Sequence, residues 1–151
     1  MLLSYRHALR VSELVNMRMP DLDIDSGRLF VRRNKNSLST SQPLEGDEIR
    51  AVRAWLRLRT NAPCCNSPLL FLSERGPMTR QAVNYLVKEI SQHAGLHAHV
   101  HPHRLRHSCG YALANKGCDT RLIQDYLGHR NIRHTQLYTR TAAVRFEGLW
   151  R

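Results

Sequence analysis

The chain has 151 residues, a length that suits one hydrophobic core and is short for two domains. Hydrophobic residues make up 42% of it, and no apolar run approaches the roughly 20 residues that would span a bilayer. The 23 Lys and Arg residues against 12 acidic residues give a net charge of +11. This excess indicates a polyanionic partner such as nucleic acid, without distinguishing DNA from RNA or a membrane surface.

The N-terminus and the cysteines both predict a protein of the cytoplasm. The first ten residues hold too short an apolar stretch for a secretory signal. The four cysteines include the adjacent pair Cys64 and Cys65 and show no CxxC spacing. Reduced thiols are therefore expected, and neither a disulfide framework nor a zinc ribbon.

The first part of the chain predicts short helices around a β-hairpin. Apolar residues at helical spacing, with Ser12 and Glu13 as a cap in mid-segment, predict two helical pieces that meet near Arg10. Strand-like stretches flank a polar turn over 34–37, which predicts a hairpin with Lys35 at its tip. The expected elements are a helical pair over 1–18, strands over 27–33 and 39–44, a helix over 46–59 and a loop over 61–68.

The remainder of the chain is predicted to be mostly helical. Thr79 and Asp119 are candidate N-caps, and Gly117 and Gly128 are candidate helix stops. The expected elements are a strand-like run over 69–72, a helix from 79 to about 90, a linker over 97–102, and helices over 103–116, 119–127 and 133–150. The fold class is therefore mainly α with a small β-hairpin or sheet, in the α+β sense.

Basic and tyrosine motifs follow one another in order along the last third of the chain. An HxLRH motif begins at His103, a YLGH motif ends at His129, and Tyr138 follows in QLYT. An HxxR pattern alone is weak, because about one occurrence is expected by chance in a chain this rich in His and Arg. The order and spacing of the whole run are more informative than any one motif.

This run resembles the tyrosine recombinases, or phage integrase family, and most closely the short fimbrial-switch invertases of bacteria. The resemblance extends over nearly the whole chain and implies the catalytic-domain fold of that family. It implies cleavage and rejoining of duplex DNA through a 3′-phosphotyrosyl intermediate, as an invertase that controls phase variation of fimbriae. The catalytic residues that it implies are Arg10, Lys35, His103, Arg106, His129 and the nucleophile Tyr138, with Glu13 in support of Arg10.

The resemblance also implies partners. Double-stranded DNA with paired recombination sites is expected as the substrate, bound by a homotetramer, with a monomer in solution. DNA-bending accessory proteins are expected to assist, at the nucleoid in the cytoplasm. No cofactor, no metal and no membrane partner are expected.

The residue types suit phosphoryl transfer independently of the resemblance. Two guanidiniums, Arg10 and Arg106, can hold the phosphate oxygens bidentately without a metal. A phenol needs a base to take its proton, a task that His103 fits, and the leaving 5′ oxygen needs a proton that Lys35 can donate and an arginine cannot. His129 can donate a hydrogen bond to the remaining oxygen. The phosphotyrosyl bond retains the energy of the phosphodiester bond that was cleaved, so rejoining requires no ATP.

Other interpretations of the tyrosines and histidines stand beside these roles. Tyr126 shares an apolar helical face and is predicted to pack, whereas the polar neighbours of Tyr138 favour an exposed hydroxyl. His107 and His134 are candidates for phosphate binding, but solvated surface histidines are the default, so they are left outside the catalytic set.

A row of alternating histidines raises the alternative of a metal site. In an extended segment, alternate imidazoles lie on one face. Pro102 interrupts such a strand, and no acidic residue or cysteine lies in the segment, so no metal site is predicted. The histidines are His97, His99, His101 and His103.

The arginines of the 46–59 helix follow helical spacing and are ordinarily a solvated face. On a DNA-binding protein, such a face supplies salt-sensitive affinity for phosphates without reading the sequence. These arginines are Arg50, Arg53, Arg57 and Arg59.

The resemblance to the tyrosine recombinases implies a catalytic domain over 1–151 that is trimmed at both ends, without a separate N-terminal core-binding domain. Two further functions stay open beside the recombinase. One is a truncated DNA-binding module without turnover. The other is a relaxase like the type IB topoisomerases, which shares phosphotyrosine chemistry.

Overall fold

The computed structural model describes residues 1–33, 37–96 and 100–147. The helices in these ranges are α1 (Leu2–Arg6), α2 (Val11–Val15), α3 (Gly46–Arg59), α4 (Arg80–His93), α5 (Pro102–Asn115), α6 (Thr120–Leu127) and α7 (Arg133–Arg140). The strands are β1 (Leu22–Asp23), β2 (Arg28–Val31), β3 (Thr40–Pro43), β4 (Leu72–Ser73) and β5 (Gly76–Pro77), and 3₁₀ turns cover Met19–Asp21 and Ala143–Phe146. The predicted class, mainly helical with small antiparallel sheets, is confirmed.

The strands predicted for the hairpin, β2 and β3, form two of the three strands of an antiparallel sheet in the order β1-β2-β3. Leu29 faces Gln42 and Val31 faces Thr40 across β2 and β3. Leu29 and Val31 are buried and alternate with exposed residues, the pattern of a sheet with one solvated face. The two-residue β1 was not predicted, because it is too short for an alternation to register. Lys35, at the predicted tip of this hairpin, lies outside the described residues.

Helices α1 and α2 meet near Arg10 as predicted, but the cap differs from the expectation. Arg10, and not Ser12, is the N-cap of α2, and the Glu13 carboxylate accepts a hydrogen bond from the Arg10 backbone N–H at 2.8 Å. Just before it, Ala8 has φ 50°, a left-handed conformation that turns the chain between the two helices. This turn exposes the Ala8 carbonyl to side chains from elsewhere in the fold.

The later helices begin and end largely where their caps predicted. Thr79 accepts a hydrogen bond from the Ala82 N–H, and Asp119 accepts two at the start of α6. Gly128 ends α6 with φ 65°. Two expectations were wrong in extent: the 69–72 run contributes only Leu72 to a strand, and α7 ends at Arg140 instead of running to 150.

The end of α7 has a packing reason. Ala142 leaves the helical conformation and is buried in the core formed by the C-terminal helices. That core also holds Ala8, Cys109, Ile123, Leu127 and Tyr138. A second core lies under the sheet, between α1 and α3. The candidate site lies where Ala8 brings the α1–α2 turn against the C-terminal helices.

The basic face of α3 is smaller than predicted. Arg59 is buried, and its guanidinium donates to the backbone carbonyls of Cys65, Ser67, Leu69 and Leu70. It therefore holds the following loop and does not face a partner. Arg50, Arg53 and Arg57 are exposed, in agreement with the prediction. No helix within the described ranges is long and apolar enough to cross a membrane.

Candidate active site

One face of α5 is turned toward α7 and carries two of the predicted catalytic residues, His103 and Arg106. Side chains three and four residues apart share a helix face, which groups four positions of α5. They are His103, Arg106, His107 and Gly110. From α7, Thr135 and Tyr138 share a face by the same rule, and both are buried. The Tyr138 ring packs so closely on Gly110 that a Cβ there would lie 2.8 Å from a ring carbon.

Tyr138 is buried, with 1% of its surface exposed, so the expectation of an exposed hydroxyl was wrong. Its ring fills the C-terminal core, edge-on to Tyr111 at 4.9 Å and stacked at 6.2 Å with His129. The hydroxyl ends 2.7 Å from Nδ1 of His107. Burial raises the pKa of the Tyr138 phenol above its ordinary value. A base in contact with the hydroxyl is therefore needed to make it a nucleophile.

His107 is the histidine that contacts this hydroxyl, although sequence reasoning left it out of the catalytic set. Nε2 of His107 lies 2.8 Å from Nε2 of His103, which is exposed at the start of α5. The predicted base, His103, thus adjoins Tyr138 through His107. The four-residue interval between the two histidines, on the face that also carries Arg106, is the signal that would have identified His107.

Arg106 is buried, and its hydrogen-bond partners among the described residues are backbone carbonyls. It donates to the backbone oxygens of Ala8 and Leu127. Among the described residues, no carboxylate lies within salt-bridge distance of it. Burial, followed by the charges of Arg10 and Arg33, lowers the pKa of Arg106 to about 10. Arg106 therefore remains cationic at neutral pH: Glu13 favours its charged form from beyond salt-bridge distance, and no described carboxylate pairs with it directly.

Arg10 is held at the edge of the site by a buried carboxylate. Its guanidinium lies 2.7 Å from Glu13, and its side chain keeps 35% of its surface exposed. Glu13 also pairs at 2.7 Å with Arg33, a residue of the hairpin that sequence reasoning did not single out. Burial acts to raise the pKa of Glu13, but Arg33 and Arg10 outweigh it, so the pKa lies below its usual range. Glu13 is thus ionised and orients Arg10 through two contacts.

His129 follows the Gly128 helix stop and faces the same site. Burial, with Arg106 and Arg10 nearby, lowers the pKa of His129 to about 3, so its imidazole is neutral. Nδ1 of His129 lies 2.9 Å from the hydroxyl of Thr135. When the Thr135 hydroxyl donates to Nδ1, the single ring proton is on Nε2, where it is available to a ligand. Sequence reasoning missed Thr135, which carries no motif of its own.

An open cleft of about 490 Å³ borders Arg10 and His129. Its described lining contains no acidic residue. The lining residues are Arg10, Ser12, Ser37, Arg80, His129, Arg130, Asn131 and His134. A cleft with this lining suits a phosphate backbone, since its cations attract negative charge and its hydroxyls can donate hydrogen bonds to phosphate oxygens.

The structure therefore brings four of the other predicted catalytic residues, with Glu13, around Tyr138 or the adjoining cleft, and Lys35 lies outside the described residues. His97 and His99 of the metal alternative lie outside them as well, and no group of three or more candidate ligands occurs in the part of the chain described. All four cysteines are free thiols. Tyr126 packs as predicted, and its hydroxyl donates to the Arg6 carbonyl at 2.8 Å.

The chain is similar in sequence to proteins of one known family. The sequence profile of the phage integrase family matches residues 1–145. The chain is 47% identical over 150 residues to the type 1 fimbriae regulatory protein FimB and 49% identical over 151 residues to FimE, both of Escherichia coli strain K12. These alignments include 99% of this chain and 75% and 76% of the two relatives.

A solved structure shares the fold. The crystal structure of XerA recombinase superposes with a TM-score of 0.82 and 26% identity over 95% of this chain. The chain spans about half, 53%, of the XerA chain. The family match over almost the full length, together with the fimbrial relatives, shows that the chain belongs to the phage integrase family, the tyrosine recombinases.

Proposed function

We propose that this protein is a site-specific DNA recombinase, an invertase that cleaves and rejoins duplex DNA through a 3′-phosphotyrosyl bond to Tyr138. One observation carries the proposal: the Tyr138 hydroxyl contacts His107, which shares a face of α5 with the buried cation Arg106, and no described carboxylate pairs directly with Arg106. Such a cation stabilises an anion brought to it, and a scissile phosphate supplies that charge. The fimbrial names of the relatives FimB and FimE support control of fimbrial phase variation as the biological role.

In the proposed cleavage step, the Tyr138 oxygen attacks phosphorus in line. The bond from this oxygen to phosphorus forms, and the bond from phosphorus to the 5′ oxygen breaks. Arg10 and Arg106 neutralise the oxygens on which charge develops, and the neutral His129 donates from Nε2 to another. The reversal of this step, with a new 5′ hydroxyl as the attacking group, rejoins the strand.

The leaving 5′ oxygen must receive a proton. With a pKa of about 3, His129 has no spare proton near neutral pH, and both arginines hold theirs. Lys35 is the remaining predicted residue that can donate one. We assign it the general-acid role, and Ser37, two residues further on, lines the cleft.

The proposed substrate is double-stranded DNA with paired recombination sites. Two duplexes have four strands, and each protomer carries one Tyr138, so strand exchange calls for a homotetramer on the DNA. The chain alone is proposed to be a monomer in solution, with DNA-bending proteins assisting assembly and the nucleoid as its location. Light scattering with and without a two-site DNA tests the assembly.

Covalent capture from a random DNA pool tests the function and finds the target sequence at the same time. A pool of nicked duplexes with a randomised central segment is incubated with the protein. Cleavage beside the nick releases a short fragment, so the reaction cannot reverse and the protein remains attached to DNA in SDS. We expect wild-type protein to enrich one sequence family among the attached molecules, and Tyr138→Phe to attach none.

Tyr126→Phe is the matched control, because it removes a hydroxyl that donates to the Arg6 carbonyl, away from the Tyr138 hydroxyl. It should attach DNA as the wild type does. Equal attachment by Tyr138→Phe would refute the nucleophile. DNA binding without attachment would indicate the binding module instead, and attachment without sequence enrichment, together with relaxation of supercoils, would indicate a relaxase.

A further inference from the structure

Three side chains form a line from the core of the site to solvent. The Tyr138 hydroxyl is 2.7 Å from Nδ1 of His107, and the opposite ring nitrogen of His107 is 2.8 Å from Nε2 of His103. The ring centroids of the two histidines are 4.4 Å apart in an edge-on arrangement. His103 is exposed, whereas Tyr138 is buried. The line therefore joins a buried hydroxyl to a group in contact with water.

Only two proton arrangements satisfy both hydrogen bonds when the histidines are neutral. In the first, the Tyr138 hydroxyl donates to Nδ1 of His107, and Nε2–H of His107 donates to His103. In the second, the directions are reversed: His103 donates to His107, and His107 donates to the Tyr138 oxygen. Moving one proton along each hydrogen bond of the first arrangement leaves the oxygen of Tyr138 as a phenolate and His103 as an imidazolium.

We propose that His107 is a catalytic residue that takes the proton of Tyr138 and, with His103, forms a two-histidine relay to solvent. This inference rests on the proposed recombinase function. In cleavage, the O–H bond of Tyr138 breaks and an N–H bond forms at Nδ1 of His107. The Nε2–H bond of His107 breaks, and an N–H bond forms at Nε2 of His103, which becomes an imidazolium exposed to water. In rejoining, the same protons return to the Tyr138 oxygen as it leaves phosphorus.

The surroundings keep the relay ready to accept a proton. Burial is the first cause that lowers the pKa of each histidine, and the nearby cation Arg106 adds to it in both. Both imidazoles are therefore neutral at neutral pH and can each accept a proton. In the described part of the chain, the titratable groups that act on the pair are Arg10, His101, Arg106, His129 and Tyr138, and none of them is a carboxylate.

Two substitutions of His107 separate its two contacts. The amide of His107→Asn reaches the position of Nδ1 and can accept from Tyr138, but it places nothing at Nε2. The amide of His107→Gln reaches toward His103 instead. If His107 only holds the Tyr138 hydroxyl in place, His107→Asn should still do so and keep its activity. If His107 relays the proton, both variants should lose activity. We expect cleavage of the captured DNA, in its nicked form, to slow by about 10²-fold or more in each.

The pH profile and the leaving group identify the step. Wild-type single-turnover cleavage should be nearly constant above about pH 6.5, where the relay is neutral. Without His107, solvent hydroxide must take the phenol proton, so the rate of His107→Asn should rise about tenfold per pH unit up to the phenol pKa. A DNA with sulfur in place of the 5′ bridging oxygen needs no proton on its leaving group. This DNA should restore the cleavage rate of a variant that lacks the general acid Lys35, whereas the cleavage rate of His107→Asn should stay low.

His103→Ala extends the test at an exposed position where folding is not at risk, and a loss of about tenfold is expected. His93→Asn, an exposed histidine at the end of α4, should cleave at the wild-type rate. If His107→Asn keeps the wild-type rate and pH profile, or is restored by the sulfur substrate, the relay is refuted while the proposed function stands. If wild-type protein forms no adduct that depends on Tyr138, the proposed function fails and the relay fails with it.

Discussion

Two buried arginines reach the same backbone carbonyl, that of Ala8, from different regions of the molecule. Arg33 comes from the hairpin and Arg106 from α5. Arg33 also donates to the carbonyls of His7 and Tyr126 and pairs with Glu13, a carboxylate that it shares with Arg10. Within the described ranges, Arg106 has carbonyl partners only. Arg33 thus has a carboxylate in direct contact, and Arg106 has none among the described residues.

This difference separates structural charge from functional charge. A buried ion pair such as Arg33 with Glu13 holds elements together, and loss of one partner leaves the other charge buried and uncompensated. A buried cation without a counterion lowers stability in the free protein and gains most when an anion arrives. The hairpin region therefore positions the site, and the α5 region carries the charge available to a phosphate.

The largest expected effects come from removing each arginine in turn. Arg33→Ala should lower the free energy of unfolding by about 3–5 kcal/mol, because it removes one of the two cationic partners of the buried Glu13 and a donor to three backbone carbonyls. Arg106→Ala should lower the rate of adduct formation by about 10³-fold, with a loss of stability of only about 1–2 kcal/mol. Urea unfolding and single-turnover cleavage measure the two quantities. A larger loss of stability in Arg106→Ala than in Arg33→Ala would contradict the assignment of a structural role to Arg33 and a functional role to Arg106.

Gly110→Ala should impair catalysis through position alone. The added Cβ would lie 2.8 to 3.0 Å from three atoms of the Tyr138 ring, so the ring must shift. A displacement of the nucleophile of this kind should slow adduct formation by about 10- to 100-fold. Gly46→Ala is the control, since its Cβ meets only a flexible arginine tip at 3.5 Å. If Gly110→Ala cleaves DNA at the wild-type rate, the position of Tyr138 in this structure is not the one from which it reacts.

The contribution of the Glu13 ion pairs to stability should be lost in acid. The pKa of Glu13 is lowered in the folded protein, so its stabilisation is present above the unfolded value of about 4.3 and is lost as the pH falls through the lowered folded value. Glu13→Gln should be less stable than wild type by about 2 kcal/mol at pH 7 and nearly equal to it at the acid end. Unfolding measured from pH 7 to pH 3 tests this. An equal stability difference at both ends would contradict the pairing.

The smallest effect is expected at an exposed arginine. Arg53 lies on the solvated face of α3, so Arg53→Ala should change the free energy of unfolding by less than about 0.5 kcal/mol. If this face meets DNA phosphates, the slope of log affinity against log salt should become shallower by about 1. Filter binding over a range of salt concentrations measures the slope. An unchanged slope would place the face away from the DNA.

Most of the fold was predictable because its signals are local. The caps Thr79 and Asp119, the stop at Gly128 and the apolar spacing of α3 act within a few residues of themselves, and the structure agrees with them. The end of α7 was not predictable. Burial of Ala142 in a core assembled from distant segments overrides the local preference for a longer helix.

For the site, the sequence by itself determined the order of the basic motifs and of Tyr138, and hence the family and the class of chemistry. Only the tertiary structure decided which groups touch. In the fold, the Tyr138 ring packs on Gly110 and the Tyr138 hydroxyl contacts His107. Arg33 pairs with Glu13, which lies 20 residues earlier in the chain. The physical reason is that charge balance and hydrogen bonding depend on neighbours in space. A motif names a guanidinium or an imidazole, and only the packed fold shows whether its partner is a carboxylate, a carbonyl or the attacking oxygen.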